Sequence, residues 1–150
     1  MDGGAVKTDE RTDERIMVLL LRIANRIERR LDEALAPVDL TLAKYGALTK
    51  LAHAAAPLSL GELAAQLVSV RSNISQLVDR LETDGLVRRV EDPRDRRCVR
   101  AELTDLGRER QAAGAAVAQE VREEIAKLFA GVDCGILERA LVELGGVPVS

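Results

Sequence analysis

Residues 77–107 read LVDRLETDGLVRRVEDPRDRRCVRAELTDLG, and four changes of pattern occur within them. Leu77, Val78 and Leu81, with Ile74 just before, repeat at helical spacing. Gly85 then stands where a left-handed C-cap is wanted. Leu86–Val90 and Cys98–Leu103 read as strands; in the second, Val99, Ala101 and Leu103 alternate with Cys98, Arg100 and Glu102. Asp92, Pro93 and Asp95 supply turn chemistry between them, and Thr104 can cap a following helix. The order is helix, hairpin, helix. The hairpin carries four arginines (Arg94, Arg96, Arg97, Arg100) in a chain whose net charge is −3 and whose pI is near 5.3.

On the N-terminal side, Ile16, Leu19, Leu20, Ile23, Ile27, Leu31, Ala34 and Leu35 form one apolar stripe of period 3.6, limited by Pro37. Arg22, Arg26, Arg29 and Arg30 fall on other faces and read as solvated charge. Thr41 is placed to cap a second helix with Leu42, Tyr45, Leu48 and Leu51 inward, closed by AHAAAP before Pro57. Ser59–Glu62, SLGE, fits a capping box opening a short third helix with Leu63, Ala64 and Leu67. After a brief turn, a fourth helix is expected through RSNISQLVDRLETDG, its leading face made of Arg71, Ser72, Asn73, Ser75 and Gln76. Beyond Thr104, Val117, Val121, Ile125 and Leu128 belong to a long fifth helix ended by Gly131. Asp133 caps a sixth, which carries Ile136, Leu137, Ala140, Leu141 and Leu144 and stops at Gly145 and Gly146.

The chain has 150 residues, 47% hydrophobic and 31% charged, which suits one domain with a real core. No apolar run is long enough to span a membrane, and the polar N-terminus does not read as a secretory signal; together they predict a cytoplasmic location. Cys98 and Cys134 lack CxxC spacing, and no disulfide framework is expected. Tyr45 and Phe129 are the only aromatic residues, so base stacking on aromatic platforms is a poor mechanism here. His53 stands alone, without a cluster at metal-ligand spacing. Neither a nucleophilic triad, a P-loop nor a dinucleotide fingerprint occurs. The expectation is therefore no enzyme, no metal and no cofactor.

A short helix, a tight turn, a helix with a polar leading edge and a basic hairpin describe a helix-turn-helix followed by a wing. The major groove admits one helix, whose N-terminal side chains reach base edges. Arginine can address guanine, asparagine and glutamine can address adenine, and serine is tolerant. Arginines at a hairpin tip suit a narrow minor groove, where negative potential concentrates. Residues 68–100 hold eight arginines and six acids, a balance of +2 that leaves −5 on the remainder. Confined basicity of this kind is what a DNA footprint on an acidic protein looks like.

From Leu58 to Gly107 the sequence resembles the MarR family of bacterial transcriptional regulators, through LVDRLETDGLV, then DPRDRR, then LTDLG. The resemblance implies a mainly α fold with a small β-hairpin wing: a winged helix-turn-helix plus N- and C-terminal dimerisation helices. It implies a single domain over 1–150, with dimerisation helices at 9–36 and 104–146 and the DNA-binding lobe at 41–103. The function implied is that of a regulator, a repressor in the first reading. It would bind a pseudo-palindromic operator in double-stranded DNA as a homodimer and leave it when a small-molecule effector binds. Carried across by position, Asp95 matches the wing aspartate that orients an arginine and Arg97 the arginine placed in the minor groove. Arg96 lies beside it near phosphate, with Arg94 within reach of phosphate too. Arg71, Ser72, Asn73, Ser75 and Gln76 match the leading positions of the recognition helix. Where the family often has Gly and then a Ser or Asp cap, this chain has Val68 and Val70, with Ser69 as an alternative cap.

Two alternatives stand beside that reading. One is a redox-responsive regulator: alternation puts the Cys98 thiol outward between Arg97 and Arg100, where positive neighbours would stabilise a thiolate. The other is a winged-helix protein-interaction module that has lost DNA binding. Cys134 reads as structural.

Overall fold

The fourth helix ends as its sequence dictates. In the computed structural model, which describes residues 10–67 and 73–145, Gly85 has φ +72°, and its N–H and that of Leu86 close the helix onto Glu82 and Leu81 carbonyls at 2.9 Å each. Only glycine takes that left-handed conformation without a Cβ penalty.

The element order is α1 (Glu10–Leu35), a 3₁₀ turn (Ala36–Val38), α2 (Leu42–His53), β1 (Leu58–Ser59), α3 (Leu60–Gln66), α4 (Ile74–Thr83), β2 (Val87–Glu91), β3 (Val99–Leu103), α5 (Asp105–Ala126), a second 3₁₀ turn (Lys127–Phe129) and α6 (Cys134–Gly145). The caps read from the sequence are present. Thr41 Oγ1 accepts from Lys44 N at 3.3 Å. Ser59 and Glu62 form the reciprocal capping box. Thr104 Oγ1 accepts from Gly107 N at 3.0 Å and donates to the Gly85 carbonyl at 2.6 Å. Asp133 Oδ1 accepts from Ile136 N at 3.0 Å.

The expected β2–β3 hairpin is present, and a third strand joins it, giving an antiparallel sheet in the order β1-β3-β2. β1 is only two residues, pairing Leu58 with Ala101 and Ser59 with Arg100. A two-residue strand is too short to show alternation, and its serine doubles as the α3 cap. β2 and β3 pair from Val87–Leu103 to Glu91–Val99.

The core sits under this sheet. Leu48, Leu63, Val78, Leu81 and Leu86 are fully buried there, and Leu35 brings the end of α1 into it. α5 leaves the sheet at Gly107, where an added Cβ would collide with the Leu86 carbonyl oxygen. Farther along, Gly114 lets Tyr45 and Leu40 lie against α5, since an added Cβ would meet the tyrosine ring at 2.7 Å.

Beyond this lobe, α1 and α6 are barely covered. Residues 11–26 of α1 are exposed, including Leu19 at 49%, and on α6 Leu144 is 70% exposed. One arginine of α1 departs from the solvated reading: Arg30 pairs with Glu124 of α5 through two nitrogens, Nη2–Oε2 being 2.8 Å. Both partners are about half exposed, so screening keeps the contribution small. Among the described residues no helix is long and apolar enough to cross a membrane.

Candidate nucleic-acid interface

α4 starts at Ile74, and Asn73 is its N-cap: Asn73 Oδ1 accepts from Ser75 N at 3.0 Å. The expected helix start at Arg71 is corrected in this respect. Asn73 ends the approach to the helix, and its acceptor oxygen is engaged in capping. Arg71, Ser72 and the alternative cap Ser69 lie outside the described residues. Ser75 and Gln76 are exposed, on the side of α4 opposite the buried Leu77, Val78 and Leu81. Arg80, one turn after Gln76, is also exposed. The sequence reading passed over it, although its i+4 spacing from Gln76 puts both on one face.

The rear of α4 is fixed by charge. Arg89 of β2 reaches both Asp79 and Glu82, and Lys44 of α2 holds Asp84 at 2.6 Å. Arg88 pairs across the hairpin with Glu102 at 2.5 Å. The Arg89 pairs tie α4 to the wing's root, the Lys44 pair ties its end to α2, and all of them consume charges that composition alone counts as available.

The wing turn is built on two aspartates. Asp92, 8% exposed, closes the hairpin with its N–H on the Cys98 carbonyl at 3.0 Å. Its Oδ1 accepts from Arg94 N at 2.8 Å and its Oδ2 from Arg100 Nε at 2.6 Å. These donors, the Arg94 backbone first and then Arg100, hold its carboxyl below the usual aspartate range. Asp95 accepts from Arg97 N at 2.9 Å through Oδ1. It thus engages an arginine by its backbone rather than its guanidinium.

The arginines therefore separate into two groups. Arg88, Arg89 and Arg100 are paired at the root. Arg94, Arg96 and Arg97 at the tip are exposed and, among the described residues, make no ion pair.

Cys98 corrects the thiolate argument. The thiol is exposed, but Sγ lies 3.7 Å from Asp95 Oδ2. The Asp95 carboxylate, with burial next and Asp92 also contributing, pushes the thiol up against the opposing pull of Arg100. Strand alternation located the sulfur correctly. It did not reveal that a turn carboxylate lies within 3.7 Å of it and outweighs the arginine. Cys134, read as structural, is exposed, with Sγ 3.6 Å from the Val132 carbonyl. Among the described residues no group of three His, Cys, Asp or Glu side chains is poised to hold a metal.

A separate trough of about 550 Å³ runs between α1, α5 and α6, with Ile27, Ile125, Phe129 and Leu137 in its wall and Arg26 and Arg29 at its rim.

This geometry is that of a winged helix-turn-helix. The MarR family model matches residues 38–97. The chain is 36% identical over 63 residues, 42% of its length, to the uncharacterised HTH-type transcriptional regulator YkoM of Bacillus subtilis, of which that match spans 41%. Thus the chain spans less than half of this curated relative. In three dimensions it is similar to an E. coli MarR mutant complexed with operator DNA (TM-score 0.77, 26% identity, 91% of this chain and 99% of that one). It is also similar to CouR of Rhodococcus jostii bound to p-coumaroyl-CoA (TM-score 0.72, 26% identity, 90% of this chain and 95% of that one). Over the residues matched, the chain is thus similar to winged helix-turn-helix transcriptional regulators of the MarR family.

Proposed function

We propose that this chain is a regulator that reads a pseudo-palindromic operator as a two-fold homodimer. In this reading α4 enters the major groove with Ser75 and Gln76 at base edges, while Arg97, flanked by Arg94 and Arg96, enters the adjacent minor groove. The observation that carries it is the division of arginines: the root set is neutralised by named carboxylates, and the tip set is exposed and, among the described residues, unpaired. A module adapted to protein contact would have no need to keep three cations unpaired at one hairpin tip. The likeness to a MarR–operator complex supports the same docking.

The dimer follows from the uncovered apolar residues of α1 and α6, which a second copy would bury. The likeness to a ligand-bound relative supports effector control. An effector with higher affinity for a half-site spacing that does not match DNA would shift the population off the operator, making the protein a repressor. The redox alternative loses its electrostatic basis with Asp95 beside Cys98.

The test is fluorescence anisotropy of the purified protein on DNA from upstream of its own gene, titrated with salt against a scrambled duplex. Tight, upstream-preferring binding that falls steeply with salt is expected. Weak, salt-insensitive binding to both duplexes would favour the protein-interaction module instead.

A further inference from the structure

We propose that Arg100 is a positioning residue that sets the wing's attitude toward the α3–α4 pair. Its guanidinium joins three segments. Nε donates to Asp92 Oδ2 at the start of the wing turn (2.6 Å), while Nη1 donates to the Pro57 carbonyl ahead of β1 (3.0 Å) and to Glu62 Oε2 in the first turn of α3 (2.8 Å).

Two of the acceptors are fixed by other bonds, and the third by its place in the chain. Asp92 holds the turn through Arg94 N. Glu62 Oε2 also accepts from Ser59 N at 2.8 Å, as half of the capping box. Pro57 leads directly into β1. The three acceptors thus form a prearranged cradle, and the guanidinium fork suits several fixed oxygens better than a lysine point charge would. With a side-chain exposure of 28%, Arg100 is only partly screened.

A two-stranded ribbon twists readily and is marginal on its own. Here β1 supports β3 at only two positions. Arg89 ties the root of the hairpin to α4; Arg100 links the turn itself to α3. It is a wing arginine by sequence, but its charge is directed inward and not toward phosphate. The consequence for DNA rests on the function proposed above; the clamp itself does not.

The experiment compares wild type with Arg100→Gln and Arg100→Lys by hydrogen exchange on the free protein, then by the salt-titrated DNA assay. In Arg100→Gln, amides of residues 92–98 should exchange faster while those of α4 do not change, and Arg100→Lys should restore part of the protection. If the freed wing is competent about a tenth of the time, apparent affinity falls roughly tenfold. The salt slope should stay that of wild type, because no phosphate contact is lost. Unchanged exchange in the wing overturns the proposal, as does a slope lower by about one, which would make Arg100 a phosphate contact. Glu62→Gln provides a second route if Arg100→Gln folds poorly, since glutamine still completes a capping box. It should show the same selective loosening, and equal exchange throughout would again overturn the clamp. A wild type that ignores DNA would sink the proposed function while leaving the exchange result to judge Arg100.

Discussion

Arg97 and Arg100 stand three positions apart on one hairpin, yet one lies in solvent and the other is held by three oxygens. Arg97→Ala should weaken operator binding and make its salt dependence shallower by about one counterion per protomer, measured as the slope of log K against log salt. Unchanged affinity and slope would remove Arg97 from the interface. Cys98 responds to the same neighbourhood. Because the Asp95 carboxylate holds its thiol up, alkylation at pH 7–8 should be slower than that of a free cysteine. Asp95→Asn should accelerate it, read in a Cys134→Ser background so that only one thiol reacts. Equal rates with and without the carboxylate would refute that cause. Both positions were named from the sequence. Their surroundings were not, because the turn that folds Asp92 and Asp95 back onto the strand is a product of the hairpin's closure.

The junction between the hairpin and α5 depends on Gly107. Its missing side chain lets α5 start directly against the Leu86 carbonyl, which also accepts from Thr104 N at 3.1 Å. Backbone cannot swing aside as a side chain does, so Gly107→Ala should cost about 3 kcal/mol or more in denaturant unfolding. Gly114→Ala meets only Tyr45 and Leu40 side chains and should cost less, about 1–2 kcal/mol. The reverse ranking would show that the α2–α5 contact is the stiffer one. The wing's root is acid-sensitive too. Asp92 and Glu62 are both held below the ordinary carboxylate range, the first by Arg94 N and Arg100, the second by Ser59 and Arg100. Their stabilisation is therefore complete at neutral pH. It is lost as pH falls below the ordinary carboxylate values near 4 and through the depressed ones. Exchange in residues 92–98 should rise over that range while the α4 amides remain protected.

For the molecule as a whole, the proposal that decides most is the dimer. Leu20 lies in the exposed stretch of α1, 37% accessible in the single chain. Leu20→Glu should convert a dimer to a monomer in light-scattering chromatography. It should also remove the concentration dependence of thermal unfolding that linked association produces. A wild type that runs as a monomer at micromolar concentration would reject the arrangement. Without a dimer, two half-sites could not be read together, and the pseudo-palindromic operator would go with it.

Local chemistry determined much of this protein. Thr41, Ser59, Thr104 and Asp133 cap helices through bonds spanning three residues, Gly85 ends one by its own backbone freedom, and strand alternation orients Cys98–Leu103. Each of these is a short-range effect that neighbouring residues settle, and the family motifs are built from them. Long-range contacts decided the rest. The two-residue β1 exists only because β3 runs alongside it. Asn73 takes the cap because the chain turns into α4 there. Whether an arginine is open or neutralised depends on carboxylates brought from elsewhere: Asp79 and Glu82 to Arg89, Asp92 and Glu62 to Arg100, Glu124 to Arg30. Charge counted along the chain is blind to such pairing, because Coulomb attraction acts through distance in space, and only the fold sets that distance.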